Sequence, residues 1–187
     1  HPFSSLIKIS MRKTPNAELT RKSVTAFKEA PKTPIVIVMD NVRSFHNVGS
    51  VFRTADAFLL EGIYLCGICP RPPHRDIRKT ALGASETVAW QYVEETVTAV
   101  KKLKEEGYEV IAIEQADESV SLEQFVVSDQ KKYALVFGHE VKGVAKEVME
   151  LVDGCIEIPQ FGTKHSLNIS VSAGVVIWDL WCKLQGA

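Results

Sequence analysis

Residues Ile158 to Ser172 have the sequence IPQFGTKHSLNISVS and join a short apolar strand to a long apolar helix. The strand, Cys155 to Ile158, stops at Pro159, and the helix covers Val171 to Leu184 with apolar residues on nearly every side. That pattern is typical of a buried helix. The first turn of such a helix leaves backbone N–H groups and the positive end of a dipole in need of partners.

Polar residues in this junction outnumber what one helix cap requires. Ser166, Asn168 and Ser170 are all residues of the capping type. We interpret the surplus as the lining of a ligand site. A core helix with a generous cap and no ligand is the alternative interpretation.

Short apolar runs precede this junction and alternate with helical patterns. The runs favour strands buried on both faces of a parallel sheet: Ile35 to Met39, Ile63 to Ile68, Val110 to Ile113, Ala134 to Phe137 and Cys155 to Ile158. The helical patterns between them cover Val48 to Leu59, Glu94 to Glu106 and Val144 to Leu151. This order predicts an α/β fold, a mostly parallel sheet with helices on both faces.

The 187 residues divide into three expected parts. Residues 1–16, which begin with His1 rather than Met, are expected to be a leader or a cloning remnant. Residues 17–34 carry an amphipathic helical pattern over Ala17 to Ala30, which Pro31 ends. Residues 35–187 are expected to form a single α/β domain.

Composition excludes several classes of protein. A content of 45% hydrophobic and 24% charged residues is that of an ordinary globular domain, and a net charge of −1 argues against a uniformly basic surface. The longest apolar run is far shorter than the ~20 residues that a membrane span needs, and no signal segment opens the chain. We therefore expect a cytoplasmic protein with no membrane partner.

One CxxC pair, Cys66 and Cys69, occurs among four cysteines. A redox pair of this kind would open a helix, but Cys69 runs directly into Pro70. A zinc site would need two more ligands, and only His74 lies close in the sequence. The pattern predicts reduced structural cysteines and no metal site.

The stretch from Asp40 to Arg53, DNVRSFHNVGSVFR, directly follows the first strand. Ligands of open α/β sheets gather at the carboxyl ends of strands. We expect Asn47 to cap the next helix. Arg53 falls among apolar residues of that helix and always carries its charge. It therefore needs either an anionic ligand or a buried ion pair, with Asp56 or Glu140 as candidate partners.

A second strand end, FGHEVKGV from Phe137 to Val144, contains a turn bracketed by Gly138 and Gly143. Glycine permits the tight backbone geometry of such a turn. Glu140 lies where a carboxylate could hold an arginine or a ligand. Taken alone, this pattern is weak, because glycine turns after strands are common.

A basic segment, RPPHRDIRK, is expected to form a surface loop that binds phosphates. A solvated loop without a ligand is the alternative. The candidate phosphate-binding residues, which bind RNA if the phosphates are those of RNA, are Arg71, His74, Arg75, Arg78 and Lys79. The chain contains no GxGxxG, GxxxxGK[ST], GxSxG or HExxH motif, which argues against dinucleotide oxidoreductases, P-loop enzymes, serine hydrolases and zinc proteases.

Taken in order, three motifs resemble those of the SpoU/TrmH-type RNA ribose 2′-O-methyltransferases of the SPOUT superfamily. They are Asn47-x-Gly-x-x-x-Arg53, then Phe137-Gly-His-Glu140-x-x-Gly143, then Ile158-Pro-Gln-x-Gly162 with Ser166-Leu-Asn168-Ile-Ser170. The resemblance extends from about Ile35 to Leu184. One departure is Gln160, where the family often has an apolar residue.

The resemblance implies a C-terminal trefoil knot, S-adenosylmethionine as the cofactor and a homodimer with its active site near the interface. General topology rules disfavour knots, so the knot rests on the resemblance alone. The homodimer has separate support, because the last helix is apolar over more of its circumference than one sheet face could cover.

Site residues follow from the resemblance by motif position. Arg53 is the implied catalytic residue, supported by Asn47, Glu140, Ser166 and Asn168. The implied cofactor-binding residues are Glu114, Gly138, Ile158 and Leu167. The expected activity is S-adenosylmethionine-dependent 2′-O-methylation of a ribose in RNA, with tRNA as the first expectation. The alternatives are an rRNA methyltransferase and a non-catalytic RNA-binding member of the same fold.

Overall fold

A computed structural model describes residues 11–186, so residues 1–10 of the expected leader lie outside the described residues. Within residues 11–186, seven strands form one sheet in which every pairing is parallel. The strands are β1 (Thr33–Asp40), β2 (Leu60–Cys66), β3 (Trp90–Val93), β4 (Tyr108–Ile113), β5 (Val120–Ser121), β6 (Lys132–Phe137) and β7 (Gly154–Glu157). Their order across the sheet is β3-β2-β1-β6-β4-β7-β5.

Helices cover both faces of this sheet, which confirms the predicted α/β class. They are α1 (Val24–Glu29), α2 (Phe45–Ala57), α3 (Arg75–Ala81), α4 (Ala84–Thr87), α5 (Thr96–Glu105), α6 (Lys146–Met149) and α7 (Ile169–Gly186). One core contains buried residues of α1 to α4 and α7. The opposite core contains those of α5 and α6. Such burial on two faces explains why the central strands are apolar throughout.

Two predicted elements are wrong in detail. The helix expected over Ala17 to Ala30 is reduced to a 3₁₀ turn at Asn16–Glu18 and the short α1. Only Phe27 of α1 is buried, so little packing stabilises the rest of the pattern. The basic loop is partly helical, since α3 begins directly after its prolines with His74 as the N-cap.

Helix α7 is buried on one side only in the single chain. Its inner face is fully buried, but Val171, Val175, Trp178 and Cys182 form an exposed stripe at intervals of three to four residues. Trp178 is 53% exposed. The predicted apolar excess is therefore present, and it lies on the surface of the chain.

Helices α2 and α3 approach each other closely at Gly49. A Cβ atom built there would lie 2.1 Å from the Thr80 hydroxyl oxygen and 2.3 Å from the Ile77 carbonyl oxygen. Thr80 also donates a hydrogen bond to the carbonyl of His46, with a distance of 3.0 Å. The start of α2 and the basic segment therefore share one surface.

Cys66 and Cys69 are buried free thiols. Burial raises the pKa of Cys66 to about 12 and that of Cys69 to about 11. Both groups are therefore protonated and unreactive near neutral pH, which agrees with the predicted structural role.

Within residues 11–186, no helix is both long enough and apolar enough to cross a membrane.

Candidate functional site

The carboxyl ends of three neighbouring strands, β6, β4 and β7, open onto a cavity of about 350 Å³ that the first turn of α7 closes from one side. This is the edge at which open parallel sheets bind ligands. The walls are formed by residues 113–115, 137–141, 143, 156–158, 160, 166–169 and 172.

Most of the predicted site residues line this one cavity. Of the five implied catalytic residues, Glu140, Ser166 and Asn168 lie in its wall. All four implied cofactor-binding residues are present as well: Glu114, Gly138, Ile158 and Leu167. Asn47 and Arg53 do not line it. Residues separated by up to 54 positions in sequence are thus brought together by the sheet.

The turn after β6 is held too tightly to accept a side chain at Gly138. The backbones of His139 and Gly143 exchange two hydrogen bonds, of 3.0 and 2.8 Å. A Cβ atom on Gly138 would lie 2.1 Å from the Gly143 carbonyl carbon and 2.1 Å from the Val144 nitrogen. Only glycine fits there, so this turn brings bare backbone to the cavity wall.

Two carboxylates fix the far end of the same turn. Glu114 accepts a hydrogen bond from the N–H of Val144 at 3.1 Å, and Asp40 accepts one from the N–H of Ala145 at 2.8 Å. Asp40 is 1% exposed and also accepts from the Thr96 hydroxyl. The sequence analysis missed the structural role of Asp40. The available signal was an acidic residue that ends a fully apolar strand.

Glu140 joins the β6 turn to the segment after β1. Its carboxylate accepts hydrogen bonds from the N–H of Arg43 at 3.0 Å and from that of Ser44 at 2.9 Å, with the Asn47 amide more distant at 3.4 Å. Partial burial alone would raise the pKa of Glu140. The hydrogen bonds outweigh that effect and hold the pKa below its usual 4.5. One interpretation of the sequence expected Glu140 to pair with Arg53. The structure shows no such pair among residues 11–186.

Replacement of Glu140 by glutamine is expected to lower the free energy of unfolding at pH 7 by about 1 kcal/mol, because charged hydrogen bonds become neutral ones at a partly exposed site. The lowered pKa means that this stabilisation is complete above about pH 4.5 and is lost as the pH falls through the folded-state value. Urea unfolding of both proteins from pH 7 to pH 3 should therefore show a difference that shrinks with acidification. A constant difference would contradict the assignment.

Asn47 does not cap α2, contrary to prediction, because Ser44 does so by accepting from the N–H of Asn47 at 3.1 Å. The Asn47 side chain is buried instead and accepts from the Asn168 amide at 3.2 Å. The Asn168 oxygen accepts in turn from the N–H and hydroxyl of Ser170, at 2.9 and 2.6 Å. Asn168 therefore caps α7, as expected, and links it to α2.

Arg53 lies on the exposed side of α2. In the part of the chain that the structure describes, its guanidinium has no ion-pair partner, and Asp56 instead accepts from the Thr87 hydroxyl. The buried ion pair considered from the sequence is therefore absent from residues 11–186. The charge of Arg53 is free for another partner.

The predicted RNA-binding residues cluster around α3. Arg71, Arg75, Arg78 and Lys79 are exposed, and the Arg71 guanidinium lies 4.2 Å from the centre of the Tyr92 ring. Asp76 neutralises part of this charge, through contacts of 2.7 Å to Lys79 and 3.7 Å to Arg75. His74 is half-buried and packs against Phe45, with ring centres 4.1 Å apart.

The chemistry of the cavity suits a nucleoside with a charged polar tail. Apolar side chains from the three strand ends, Ile113, Phe137, Ile156 and Ile158, can cover a flat base, while Ser166, Asn168 and Gln160 offer hydrogen-bonding groups. S-adenosylmethionine has this division between an adenosine and an amino-acid tail.

Among residues 11–186, no group of three or more His, Cys, Asp or Glu side chains could hold a metal ion.

Comparison with known proteins finds that residues 34–178 match the model of the SpoU rRNA Methylase family. A tRNA (guanosine(18)-2′-O)-methyltransferase from Aquifex aeolicus is 29% identical over 81% of this chain and 70% of its own length. The 23S rRNA (guanosine-2′-O-)-methyltransferase RlmB from Neisseria meningitidis is 32% identical over 77% of this chain and 56% of its own length. The chain thus spans 70% of the length of the first relative and 56% of the length of the second.

Solved structures show the same fold. The A. aeolicus TrmH/SpoU tRNA modifying enzyme aligns with a TM-score of 0.75 and 26% identity, over 86% of this chain and 79% of its own. An AdoMet-bound rRNA methyltransferase from Sinorhizobium meliloti aligns with a TM-score of 0.72 and 23% identity, over 82% of this chain and 58% of its own. The parallel sheet with its covering helices is therefore a known fold.

Proposed function

The chain belongs to the SpoU rRNA methylase family, and we propose from this that it transfers a methyl group from S-adenosylmethionine to a ribose 2′-hydroxyl in RNA. The observation that carries the proposal is the cavity at the ends of β4, β6 and β7, where seven of the nine implied catalytic and cofactor residues meet. A chance resemblance in three short motifs would not bring these side chains to one cavity.

The cofactor supplies an electrophilic methyl carbon on a sulfonium. Gly138, Ile158 and Leu167 would hold the cofactor largely through their backbone groups, while Ser166 and Asn168 would support its methionine end. In the proposed transfer the ribose oxygen would bond to the methyl carbon as the carbon–sulfur bond breaks, and the hydroxyl proton would leave to an RNA phosphate or to water. Correct placement of these atoms supplies roughly 7 to 11 kcal/mol of the barrier.

Arg53 would stabilise the negative charge that develops on the ribose oxygen. Since its pKa exceeds about 12, a guanidinium suits this electrostatic role better than proton abstraction. Arg53 does not line the cavity of its own chain and is exposed on α2. We infer that a second copy of the chain completes the site.

The exposed stripe of α7 supports this homodimer. Val171, Val175 and Trp178 form an apolar surface on the helix that begins at the cavity. Helix α2, which carries the exposed Arg53, packs against α7, and we infer that a partner docked on the stripe also reaches Arg53. If a partner chain buries this surface, the dimer accounts for the apolar residues of α7 that are exposed in a single chain.

We further propose that the C-terminal segment is threaded as a trefoil knot. Its support is that the segment before α7 and the loop after β4 are in contact, because the Gln115 amide donates to the carbonyl of His165 at 2.9 Å. Lys183, near the end of α7, donates to the carbonyl of Leu122 at 2.7 Å, farther along the connection between β4 and β6. Contacts at both ends of α7 fit a chain that passes through that connection.

The basic surface around α3 is the proposed RNA contact outside the cavity. Replacement of Arg75 and Arg78 together by alanine is expected to weaken RNA binding and to reduce the slope of log K against log[salt] by about 1.5, since two phosphate contacts are lost. Binding of bulk tRNA measured between 50 and 300 mM salt tests this. An unchanged slope would remove α3 from the RNA surface.

Two classes of RNA are candidate substrates, tRNA first and rRNA second, since the relatives named above act on one or the other. Incubation with tritiated S-adenosylmethionine and either bulk tRNA or rRNA, followed by mapping of 2′-O-methyl sites, tests the function and separates these substrates. S-adenosylmethionine binding with no transfer to either RNA would favour a non-catalytic RNA-binding member of the fold.

A further inference from the structure

A second cavity of about 350 Å³ adjoins the proposed cofactor cavity. Arg43, Ser44, His139, Glu140 and Val141 line it, and the last three also line the first cavity. The two cavities therefore share a wall formed by the turn after β6. A group bound in the second would lie directly beside the methyl donor in the first.

The second cavity is lined by one cation, the Arg43 guanidinium, and one carboxylate, that of Glu140. Arg43 is exposed, and across residues 11–186 its guanidinium has no hydrogen-bond acceptor or ion-pair partner. Both Glu140 oxygens accept hydrogen bonds from backbone N–H groups of Arg43 and Ser44, which direct the acidic charge toward the backbone. A free guanidinium of this kind suits a phosphate, which it can bind through two parallel hydrogen bonds.

His139 adds a hydrogen-bond donor to the shared wall. Its Nδ1 accepts from the N–H groups of Val141 at 3.0 Å and Lys142 at 3.3 Å. In the neutral ring the proton is therefore on Nε2, which can donate to a ribose or phosphate oxygen. The same tautomer cannot accept the hydroxyl proton at Nε2, so His139 would position the substrate and not act as a base.

An aromatic surface borders the same cavity. Phe45 directly follows Ser44, is 38% exposed and packs against His74 with ring centres 4.1 Å apart. Exposed rings beside a basic groove are the usual platforms for unpaired bases. The basic residues of α3 continue from His74, so phosphates and bases have binding groups along one path.

We propose that the second cavity and the Phe45–His74 pair bind the acceptor nucleotide and its neighbour as unpaired RNA. The Arg43 guanidinium binds a phosphate, His139 donates to the acceptor nucleotide, and Phe45 stacks on a base. The substrate is then a single-stranded loop or bulge, not a continuous duplex. This inference rests on the proposed methyl transfer to RNA and adds the residues that select the nucleotide's conformation.

Kinetics of methyl transfer to bulk tRNA or rRNA test the inference with four variants: Arg43→Ala, Phe45→Leu, Phe45→Trp and Lys101→Ala. Arg43→Ala is expected to raise KM for RNA about tenfold and to reduce the salt slope by about 0.7 to 0.9. Phe45→Leu is expected to raise KM at least about fivefold, whereas Phe45→Trp keeps it near wild type because the stacking surface remains. Lys101, exposed on the opposite face of the sheet, is the matched charge control.

The affinity for S-adenosylmethionine, measured by calorimetry, should stay unchanged in all four variants. Binding competition adds an independent readout: an unpaired oligoribonucleotide should displace bulk tRNA, and its duplex should not. The inference is overturned if Arg43→Ala and Phe45→Leu behave like Lys101→Ala, or if duplex and single strand compete equally. If the wild type binds RNA but methylates none, the proposed function fails. The salt dependence of RNA binding and the competition experiment still decide whether the second cavity binds unpaired RNA.

Discussion

Arg53→Ala is expected to lower the rate of RNA methylation by about a hundredfold to a thousandfold while the affinity for S-adenosylmethionine stays within about twofold of wild type. The reason is that Arg53 lies outside the cofactor cavity and has no structural ion pair among residues 11–186. Single-turnover transfer and calorimetry on the same preparations provide the two measurements. Arg53→Lys should recover only part of the rate, because a lysine keeps the charge without the planar guanidinium.

Subunit mixing shows which chain supplies Arg53. Protomers that carry Arg53→Ala retain an intact cavity, and protomers that carry Gly138→Ala retain an intact arginine. If Arg53 acts across the interface, mixed dimers should recover a measurable part of the activity that neither variant has alone. If no activity returns although mixed dimers form, Arg53 acts within its own chain. Parallel loss of cofactor affinity in Arg53→Ala would instead make this arginine structural.

Gly138→Ala is expected to abolish measurable S-adenosylmethionine binding and, with it, methylation. The added methyl group would lie 2.1 Å from backbone atoms of both Gly143 and Val144. Neither atom can move without opening the His139–Gly143 hydrogen bonds that shape the cavity wall. Isothermal titration with S-adenosylmethionine gives the binding result, and circular dichroism reports whether the sheet survives.

Gly162→Ala is the matched control for that variant. Gly162 belongs to the loop before α7, and a Cβ atom there has no other atom within 4 Å. The same chemical change should therefore leave cofactor affinity almost unaltered. Equal affinity of the Gly138→Ala protein and the wild type would show that the cofactor binds elsewhere.

The predictable part of this fold is the part that burial determines. Five apolar runs correspond to β1, β2, β4, β6 and β7, and the helical patterns correspond to α2, α5, α6 and α7. Strand β3 has three exposed residues and β5 has only two residues, so neither forms an apolar run. Helix α3 follows a proline-rich stretch and is mostly charged, which is why its sequence resembled a loop.

The residues of the candidate site were also predictable only in part. The family resemblance implied roles for Glu140 and Asn168, and both residues lie in the cavity wall. Their partners were less predictable, since the bonds to Arg43, Ser44 and Asn47 join segments about 95 to 120 residues apart. Asp40 was missed for the same reason, because its contact with Ala145 spans 105 positions. Long-range contacts depend on how the strands are ordered, which the local pattern does not specify.

The aromatic end of α7 provides an optical report on assembly. Trp178 and Trp181 stack with ring centres 5.6 Å apart, and each lies 5.7 Å from Phe58. Only one other tryptophan, Trp90, occurs in the chain. Because Trp178 is half in solvent, its ultraviolet emission should move to shorter wavelength when another molecule covers that ring. Dilution of the unlabelled protein would then give the dissociation constant directly from its intrinsic fluorescence.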